Sequence, residues 1–443
     1  MERKLEKKNL RKKFLKYTIP SVCAMWVYSL YTIIDGIFVG RFVGPTALAS
    51  VNLSMPFVNF IFASSMLFST GASTIIAIYL GKKDYKKANE TFTLNLISII
   101  IFSLIILIFS LLNLEKLALF LGATPTTLEM VKEYLKIIIS FNGFFIVSYC
   151  LEVIVKTDGF PYFAIIGVCL SALTNIFLDY IFVVKLNLGV AGAAYATGIS
   201  QVIACIFFLV HFLRKNSTLS FVKVTFDFGI LKRILSIGVP DCITEASTGV
   251  VLFMFNQIIL RHLGENGIVT YSIISYVNTL VLMTMIGITQ GMQPLSSYYY
   301  GKEDTDTIKK LLKMSFKTVA VVSAFVFIVV IGFSENIVNV FIKGADAELF
   351  NYSVWSFKIF STSFLVVGYN ILISGFFASI EKPTKAIIIS ISRGLVTIVL
   401  SLFTMTALFN DTGIWMATLV SELLCIIISF GILKLNPLKE LLN

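Results

Sequence analysis

The chain has 443 residues, of which 57% are hydrophobic and only 14% are charged, and its net charge is +11 at pH 7. Soluble globular proteins carry about 25% charged residues. This composition argues against a soluble protein and indicates a polytopic membrane protein, and its continuous apolar runs do not fit the alternating strands of a membrane β-barrel.

Twelve stretches along the chain are apolar and long enough to cross about 30 Å of hydrocarbon. They are predicted at residues 17–40, 46–80, 91–113, 128–155, 162–184, 190–213, 234–260, 266–300, 316–333, 350–379, 386–408 and 414–433. The sequence therefore predicts an all-α polytopic membrane protein with twelve transmembrane helices. The expected divisions are a basic N-terminus at 1–16, a first lobe at 17–213, a linker at 214–233, a second lobe at 234–434 and a C-terminal segment at 435–443.

The basic residues are distributed unequally between the two sides of this predicted topology. Most of the 36 Lys and Arg residues lie on the same side of the predicted topology as the N-terminus. The opposite loops hold only Arg41, Lys116, Lys185, Arg261 and Lys343. By the positive-inside rule, both termini are predicted to be cytoplasmic. The positive charge is thus explained without nucleic acid, which we do not expect as a partner.

The two halves of the chain repeat each other. Identical residue types recur at an offset of 220 positions, as in Pro20 and Pro240, Arg41 and Arg261, Gly44 and Gly264, Gly71 and Gly291, Tyr79 and Tyr299, and Gly81 and Gly301. Each period holds six helices, so the halves have the same orientation in the membrane. Two pseudo-symmetric six-helix lobes around a central cleft are the expected architecture, and this architecture suits transport by alternating access.

Two acids break the symmetry of the repeat. Asp35 and Asp179 lie in predicted spans of the first half, and their counterparts in the second half are Phe255 and Ser401. Acids inside a membrane are rare and mark ion pathways. The fold itself therefore does not require an acid at either position.

Two further polar residues are expected beside these acids. Asn175 precedes Asp179 by four residues, on the same helix face. Thr197 and Asp179 lie about nine residues on either side of a predicted turn at 187–189, and Asp35 lies about nine residues before Gly44, so the depths are similar. The four residues can form one oxygen-rich site for Na⁺ or for a shared proton. The alternative for Asn175 and Thr197 is local bonding to helix backbone.

Three glycines follow Asp35 at a spacing of four residues, namely Gly36, Gly40 and Gly44. A small-xxx-small stripe of this kind allows two membrane helices to approach closely. Close packing is therefore one expectation. The other is that the stripe lets the helix bend or slide when Asp35 changes its protonation state.

The motif around Asp35 resembles a known transporter family. The stretch DGIFVGRFVGPTALASVNLSMP at 35–56 is similar to the first-helix signature of the multidrug and toxic compound extrusion (MATE) transporters, within the multidrug/oligosaccharidyl-lipid/polysaccharide flippase superfamily. QGMQPLSSYYYGK at 290–302 resembles the end of their eighth helix. Asn175 to Asp179, with Thr197, is similar to the cation site of the prokaryotic, DNA-damage-inducible-protein-like branch.

The resemblance implies a cation-coupled antiporter in the plasma (inner) membrane of a prokaryote, which exports cationic, amphipathic drugs in exchange for H⁺ or Na⁺. It implies a V-shaped cleft between two lobes, and cation coupling at Asp35, Asn175, Asp179 and Thr197. The main alternative is a lipid-linked oligosaccharide flippase of the same superfamily. Such a flippase needs a strongly cationic cleft for pyrophosphate, whereas these spans contain acids and few bases.

The second half offers weaker candidates for a site. Glu245 is a candidate second acid, whereas Asp241 directly follows Pro240 and is expected to cap a helix start. The predicted span 350–379 contains no acid. Residues expected to line a substrate cleft are Met55, Asn59, Phe60, Phe255, Tyr276, Asn278, Met283, Gln290 and Gln293. Met and aromatic side chains adapt to varied cationic ligands, but each of these also fits simple packing or lipid contact.

No motif of catalysis occurs in the chain: it has no Walker loop, zinc-ligand spacing or nucleophile elbow. We therefore expect no enzyme activity and no cofactor, and an ion gradient must supply the energy. The expected partners are the lipid bilayer and the drugs, and the expected state is a monomer. A channel or a sensor scaffold is the alternative from a different functional class.

Overall fold

The computed structural model of the chain describes residues 2–214, 216–342 and 346–435, with side chains from Asn9 onward. Beyond Leu435, the predicted C-terminal segment lies outside the described residues. The chain is almost entirely helical over the described part. The helices are α1 (Glu2–Phe38), α2 (Pro45–Gly81), α3 (Tyr85–Leu112), α4 (Leu114–Phe120), α5 (Leu128–Thr157), α6 (Pro161–Asp179), α7 (Gly189–Leu213), α8 (Phe228–Gly301), α9 (Thr305–Phe341), α10 (Ala347–Ser361), α11 (Val367–Ser379), α12 (Pro383–Ile391) and α13 (Thr397–Leu435).

The helices satisfy the central requirement of a membrane protein, because a helix pairs its own backbone groups where lipid offers no partner. Ten segments of the described chain are helical, long and apolar enough to cross a membrane. The longest, α8, has 74 residues, and at 1.5 Å per residue it is far longer than a bilayer is thick. Its backbone breaks at Gly264, with φ 65° and ψ −156°. A similar break occurs inside α13 at Asn410, with φ 49° and ψ −127°.

The internal repeat of the sequence has matching local structure in its two halves. Gly44 ends the first helical segment with φ 124°, and its counterpart Gly264 breaks α8 with φ 65°. These positive φ angles favour glycine, which has no Cβ to clash. Asp84 and Asp304 cap α3 and α9, and each accepts a hydrogen bond from the N–H three residues later, at 3.1 and 3.0 Å.

The chain folds as two compact units. The N-terminal unit is Cys23–Cys242, and the C-terminal unit combines the residues up to Val22 with those from Ile243 onward. The two crossing points are themselves 220 residues apart, which is the offset of the sequence repeat. The first turns of α1 therefore belong to the C-terminal unit, and the rest of α1 belongs to the N-terminal unit. Conversely, α8 begins in the N-terminal unit and continues in the C-terminal unit.

The core of the N-terminal unit is built around α5, which packs against α2, α3, α6 and α7. In the C-terminal unit, α11 packs against α12 and α13, and α10 packs against α9 and α13. The arrangement of the N-terminal unit matters most for function. Because α5, α6 and α7 are neighbours, polar side chains at similar depths on them can meet.

The C-terminal unit encloses a buried ion pair. Arg393 Nε donates to Glu422 Oε1 at 3.0 Å, and Asn370 Nδ2 donates to Glu422 Oε2 at 2.7 Å. Ser429 Oγ then donates to Asn370 Oδ1 at 2.9 Å. Arg393 lies in a π-helical segment, Ser392–Val396, between α12 and α13. The network joins α11, the π-helical segment and α13, and it leaves the charge of Glu422 compensated.

Two expectations about local structure are wrong. A Cβ placed on Gly36 or Gly44 would meet nothing within 4 Å, and one on Gly40 would meet only the Leu48 side chain, at 3.1 Å. The glycine stripe thus does not hold two helices at close range. The chain is instead π-helical over Val39–Val43, directly after α1.

Asp241 does not cap a helix start, because α8 already begins at Phe228. The cap is Asp227, whose Oδ1 accepts hydrogen bonds from the backbone N–H groups of Gly229 and Ile230, at 2.8 and 3.2 Å. Asp241 lies within the helix and accepts a hydrogen bond from Thr70 Oγ1 at 2.7 Å. The predicted cap was wrong because Pro240 lies in the interior of α8 and not in its first turn.

Arg393→Ala should destabilise the protein strongly, because it leaves Glu422 buried and without its charge partner. Breaking a buried ion pair typically costs about 3–5 kcal/mol. Thermal unfolding in detergent, followed by fluorescence-detected size exclusion, measures the loss. The control is Lys132→Ala, which removes an exposed ion pair to Glu129 and should leave the melting temperature unchanged. Equal melting temperatures for the two variants would contradict the stabilising role of the buried pair.

Candidate cation site

The four residues predicted to form a cation site all lie in the N-terminal unit, on three helices. Asp35 is on α1, Asn175 and Asp179 are on α6, and Thr197 is on α7. The turn between α6 and α7 is tight, with positive φ at Asn187 and Gly189, as expected from the sequence. All four side chains are buried, at 6%, 1%, 0% and 8% exposure respectively.

The structure brings these side chains together in pairs. Asn175 Nδ2 donates a hydrogen bond to Thr197 Oγ1 at 3.2 Å, which joins α6 to α7. The carboxyl groups of Asp35 and Asp179 are near enough to interact directly, which joins α1 to α6. Because Asn175 and Asp179 are one helical turn apart, the two pairs lie next to each other. Asn175 and Thr197 are therefore bonded to each other, not only to local backbone.

Several oxygen atoms of this cluster have no protein partner. Among the described residues, Asp35 Oδ1, both carboxylate oxygens of Asp179 and Asn175 Oδ1 are buried without a hydrogen bond. Buried polar groups almost always have a partner, so an exception needs an explanation. Two carboxylates that face each other can only accept hydrogen bonds unless a proton is present. A proton or a small cation would supply the missing interaction.

The other buried acids of the described chain differ from this pair. Glu152 lies 2.8 Å from Lys156 Nζ, and Glu422 is paired with an arginine, as described above. Asp158 lies 2.8 Å from His211 Nε2. Asp35 and Asp179 are thus the only buried acids of the described residues without a basic partner.

Two tyrosines that the sequence did not single out complete the cluster. Tyr134 on α5 is close enough to both carboxylates for their charges to act on its phenol. Tyr31 on α1 is similarly close to Asp35. Tyr31 precedes Asp35 by four residues, so its helical spacing could have identified it. Tyr134 could not be found in this way, because only the packing of α5 between other helices brings it near.

Both acid-bearing helices change their winding beside the site. The π-helical segment Tyr180–Lys185 directly follows Asp179, and Val39–Val43 begins four residues after Asp35. Both segments form the last turn before a change of chain direction, and π-turns are common at helix C-termini. Each acid therefore lies in regular α-helix, shortly before a turn of wider winding.

The remaining predicted residues lie outside this cluster. Glu245 is half-buried on α8, in the C-terminal unit. Met55, Asn59 and Phe60 lie on α2 of the N-terminal unit. The other residues of the predicted cleft belong to the C-terminal unit, and they are Phe255, Tyr276, Asn278, Met283, Gln290 and Gln293.

Exposure differs widely among the residues of the predicted cleft. Phe60 and Tyr276 are 49% and 52% exposed. Phe255 is buried and stacks on Tyr271, with ring centroids 5.1 Å apart, so its ring packs within its own unit. Gln293 is also buried. The side chains of Phe60 and Tyr276 are therefore accessible, whereas those of Phe255 and Gln293 are enclosed.

The oxygen-rich cluster fits a hard monovalent cation or a proton. Carboxylate, amide and hydroxyl oxygens are the ligands that hard cations prefer. A proton shared between the two carboxylates would remove their mutual repulsion and give each a partner. Either ion reduces the negative charge shared by Asp35 on α1 and Asp179 on α6. Binding of the ion would therefore lower the repulsion between these two helices.

Comparison with known proteins shows what the chain as a whole is similar to. A protein-family model described as MatE matches residues 20–181 and 242–403. The multidrug export protein MepA of Staphylococcus saprophyticus is 28% identical over 424 residues, covering 95% of this chain and 92% of MepA. MepA of Staphylococcus haemolyticus is 29% identical with the same coverage.

Solved structures agree with the fold. One, described as the outward-facing conformation of a multidrug resistance MATE family transporter of the MOP superfamily, superposes with a TM-score of 0.92, at 23% identity and 97% coverage of both chains. A MOP superfamily transporter from Pyrococcus furiosus, described as having a binding pocket of reverse polarity, superposes with a TM-score of 0.90, also at 23% identity and 97% coverage. These similarities establish the all-helical fold.

Asp179→Asn should raise the melting temperature of the purified protein in Na⁺-free buffer at alkaline pH, where neither Na⁺ nor a proton occupies the wild-type site. The asparagine amide can donate to the Asp35 carboxylate, whereas a second carboxylate cannot. Sites selected for function commonly reduce stability in this way. Asp158→Asn is the matched control with the opposite sign, because the Asp158 carboxylate already accepts three hydrogen bonds, which an amide cannot all keep. A lower melting temperature for both variants would contradict the inferred repulsion.

Proposed function

The chain belongs to the MatE family, whose members are ion-coupled membrane transporters and not enzymes, and we propose that it exports cationic, amphipathic drugs in exchange for H⁺ or Na⁺. The names of its relatives support this substrate class, because MepA is described as a multidrug export protein. The observation that carries the proposal is the pair of buried acids, Asp35 and Asp179, which have no basic partner among the described residues.

The proposed mechanism uses the charge of this pair. Outward-facing protein takes up H⁺ or Na⁺ between Asp35 and Asp179, with Asn175 and Thr197 contributing oxygen atoms. The loss of negative charge allows α1 to repack along its irregular segment after Asp35, and drug is released outward. After the change to the inward-facing state, the cation leaves to the cytoplasm and drug binds again.

The concentration gradient of the coupling ion drives this exchange when one ion enters for each monovalent cationic drug that leaves. Moving one positive charge inward through 100 mV releases about 2.3 kcal/mol, but moving the positive charge of the drug outward costs the same. A tenfold ion gradient supplies about 1.4 kcal/mol, which corresponds to tenfold accumulation. A site with two carboxylates has the capacity for one such charge without becoming positive. An ion gradient is therefore sufficient to drive export without a nucleotide.

The finer architecture remains part of the proposal. Gly264 and Asn410 each break a helix longer than one bilayer crossing, which supports twelve transmembrane helices rather than ten. With twelve spans, both termini lie in the cytoplasm, and the plasma membrane of a prokaryote is the proposed location. We further propose that drugs bind in a central cleft, and that the protein acts as a monomer.

The position of the acids supports two further assignments. Both lie in the N-terminal unit, which favours the DNA-damage-inducible-protein-like branch of the family. Glu245 then serves as a candidate second acid, for drug or proton. The flippase alternative is less well supported: among the described residues, the buried Lys156 is paired with Glu152, and the largely buried Arg393 is paired with Glu422.

Neutralising either acid should stop ion-driven transport. We expect Asp35→Asn and Asp179→Asn to lower ethidium efflux from proteoliposomes at least about tenfold, because each removes a carboxylate charge that binds the coupling ion. Glu335→Gln is the control, since Glu335 is an exposed acid on α9 and its loss should change efflux less than about twofold. Unchanged efflux in Asp35→Asn would show that Asp35 is not the coupling residue.

The coupling ion can be identified with the same vesicles. We expect either an imposed pH gradient without Na⁺ or an imposed Na⁺ gradient at equal pH to drive accumulation of tetraphenylphosphonium, and the other gradient to fail. The effective gradient should lose its effect in Asp179→Asn. Transport down the substrate's own gradient only, indifferent to both ions, would indicate a channel and overturn the antiport proposal.

A further inference from the structure

The polar segment between the two sequence repeats is bound firmly to the N-terminal unit. Asp158, between α5 and α6, accepts three hydrogen bonds: from His211 Nε2 at 2.8 Å, Ser217 Oγ at 2.9 Å and the Thr218 N–H at 2.9 Å. The first donor is on α7 and the other two are in the linker. A single buried carboxylate therefore fastens the beginning of the linker to the unit that precedes it.

The middle of the linker is held by side chains of α3. The Ser220 N–H donates to Asn89 Oδ1 at 2.9 Å, and the Val222 N–H donates to Thr93 Oγ1 at 3.2 Å. Asn89 and Thr93 are four residues apart, on one face of α3. The extended linker thus runs along this helix face and is attached at regular intervals.

The first turns of α8 continue the same attachment, now against α2. A Cβ on Gly71 would collide with the backbone of Ile234, and a Cβ on Gly238 would collide with the backbone of Leu67. The two helices are therefore in backbone contact, which only glycine permits.

Polar contacts hold the outer edges of this helix pair. Arg233 Nη1 donates to the Tyr79 hydroxyl at 3.1 Å, and its guanidinium lies 5.8 Å from the centre of that ring. Thr70 donates to Asp241, as described above. Attachment therefore extends along α8 as far as Asp241.

The boundary between the units follows within two residues of Pro240. The N-terminal unit ends at Cys242, and α8 continues from Ile243 in the C-terminal unit. Proline has no N–H, so the helix lacks the backbone hydrogen bond from residue 240 to the carbonyl of residue 236, and helices bend at such positions. The weakened turn therefore directly precedes the unit boundary.

The corresponding place in the first helix shows the same arrangement. The C-terminal unit contains α1 up to Val22, two residues after Pro20. A Cβ on Gly291 would collide with the backbone of Thr18, and Lys13 Nζ lies 5.6 Å from the centre of the Tyr299 ring. Lys13 and Tyr299 are the repeat counterparts of Arg233 and Tyr79. The arrangement at α8 is thus a repeated feature of the fold.

We propose that the linker and the first turns of α8, residues 216–241, move as a fixed part of the N-terminal unit, and that the joint between the units on this connection lies within α8, at residues 242–243. The polar linker then moves with the N-terminal unit and is not the hinge between the units. The inference rests on the proposed function, because alternating access requires the units to move relative to each other. Beyond the proposed function, the inference identifies the residues at which the chain between the two units bends.

Covalent attachment of the linker tests this directly. In a cysteine-free background that retains transport, cysteines replace Asn89 and Ser220, and copper phenanthroline oxidises them to a disulfide. We expect the cross-link to form and ethidium efflux to stay within about twofold of the reduced protein, because the two segments do not move apart. Efflux that stops on oxidation and returns with reductant would overturn the proposal, and so would failure of the cross-link to form.

Proline replacement tests the position of the joint. Pro240→Ala restores a helical hydrogen bond and should lower ethidium efflux several-fold while tetraphenylphosphonium binding is retained. Pro56→Ala is the matched control, since Pro56 lies within α2, away from either crossing point, and should have little effect. Equal efflux for Pro240→Ala and wild type would contradict a joint at this place. Failure of the proposed function itself is distinguishable, because the wild-type protein would then show no efflux.

Discussion

The low dielectric of a membrane protein interior makes an unpaired buried charge costly, and this constraint organises the charged groups of the chain. Three of the five buried acids in the described residues have a lysine, histidine or arginine within 3.0 Å. Asp35 and Asp179 have no such partner, and oxygen atoms of both carboxylates lack hydrogen bonds. In the proposed function an external cation completes this site, as an ion-coupled transporter requires.

Duplication explains why this site can be built on one side of the molecule without disturbing the fold. The helix breaks at Gly44 and Gly264 and the caps at Asp84 and Asp304 recur in both halves, so they are structural features. The acids do not recur. In the C-terminal unit the buried acid Glu422 is compensated by Arg393. In the proposed function, one unit is specialised for the ion, while the other retains a closed charge network.

The sequence predicted the helical class, the repeat and the group of polar residues at similar depth, because hydrophobic length, identities at constant offset and helical spacing are local properties. It did not predict Tyr134, whose place near the carboxylates depends on the packing of α5. Asp241 was misread because a proline usually marks the first turn of a helix, whereas Pro240 lies deep in α8. The membership of residues 1–22 and 228–242 in their units also depends on tertiary contacts that no local pattern encodes.

Competition between drug and ion on the purified protein tests most directly whether Asp35 and Asp179 hold the coupling ion. The affinity for tetraphenylphosphonium is measured by isothermal titration calorimetry at increasing concentrations of the coupling ion, for wild type and for Asp35→Asn. The affinity of the wild type should fall as the ion concentration rises, and that of the variant should not respond. The same ion dependence in both proteins would contradict the assignment.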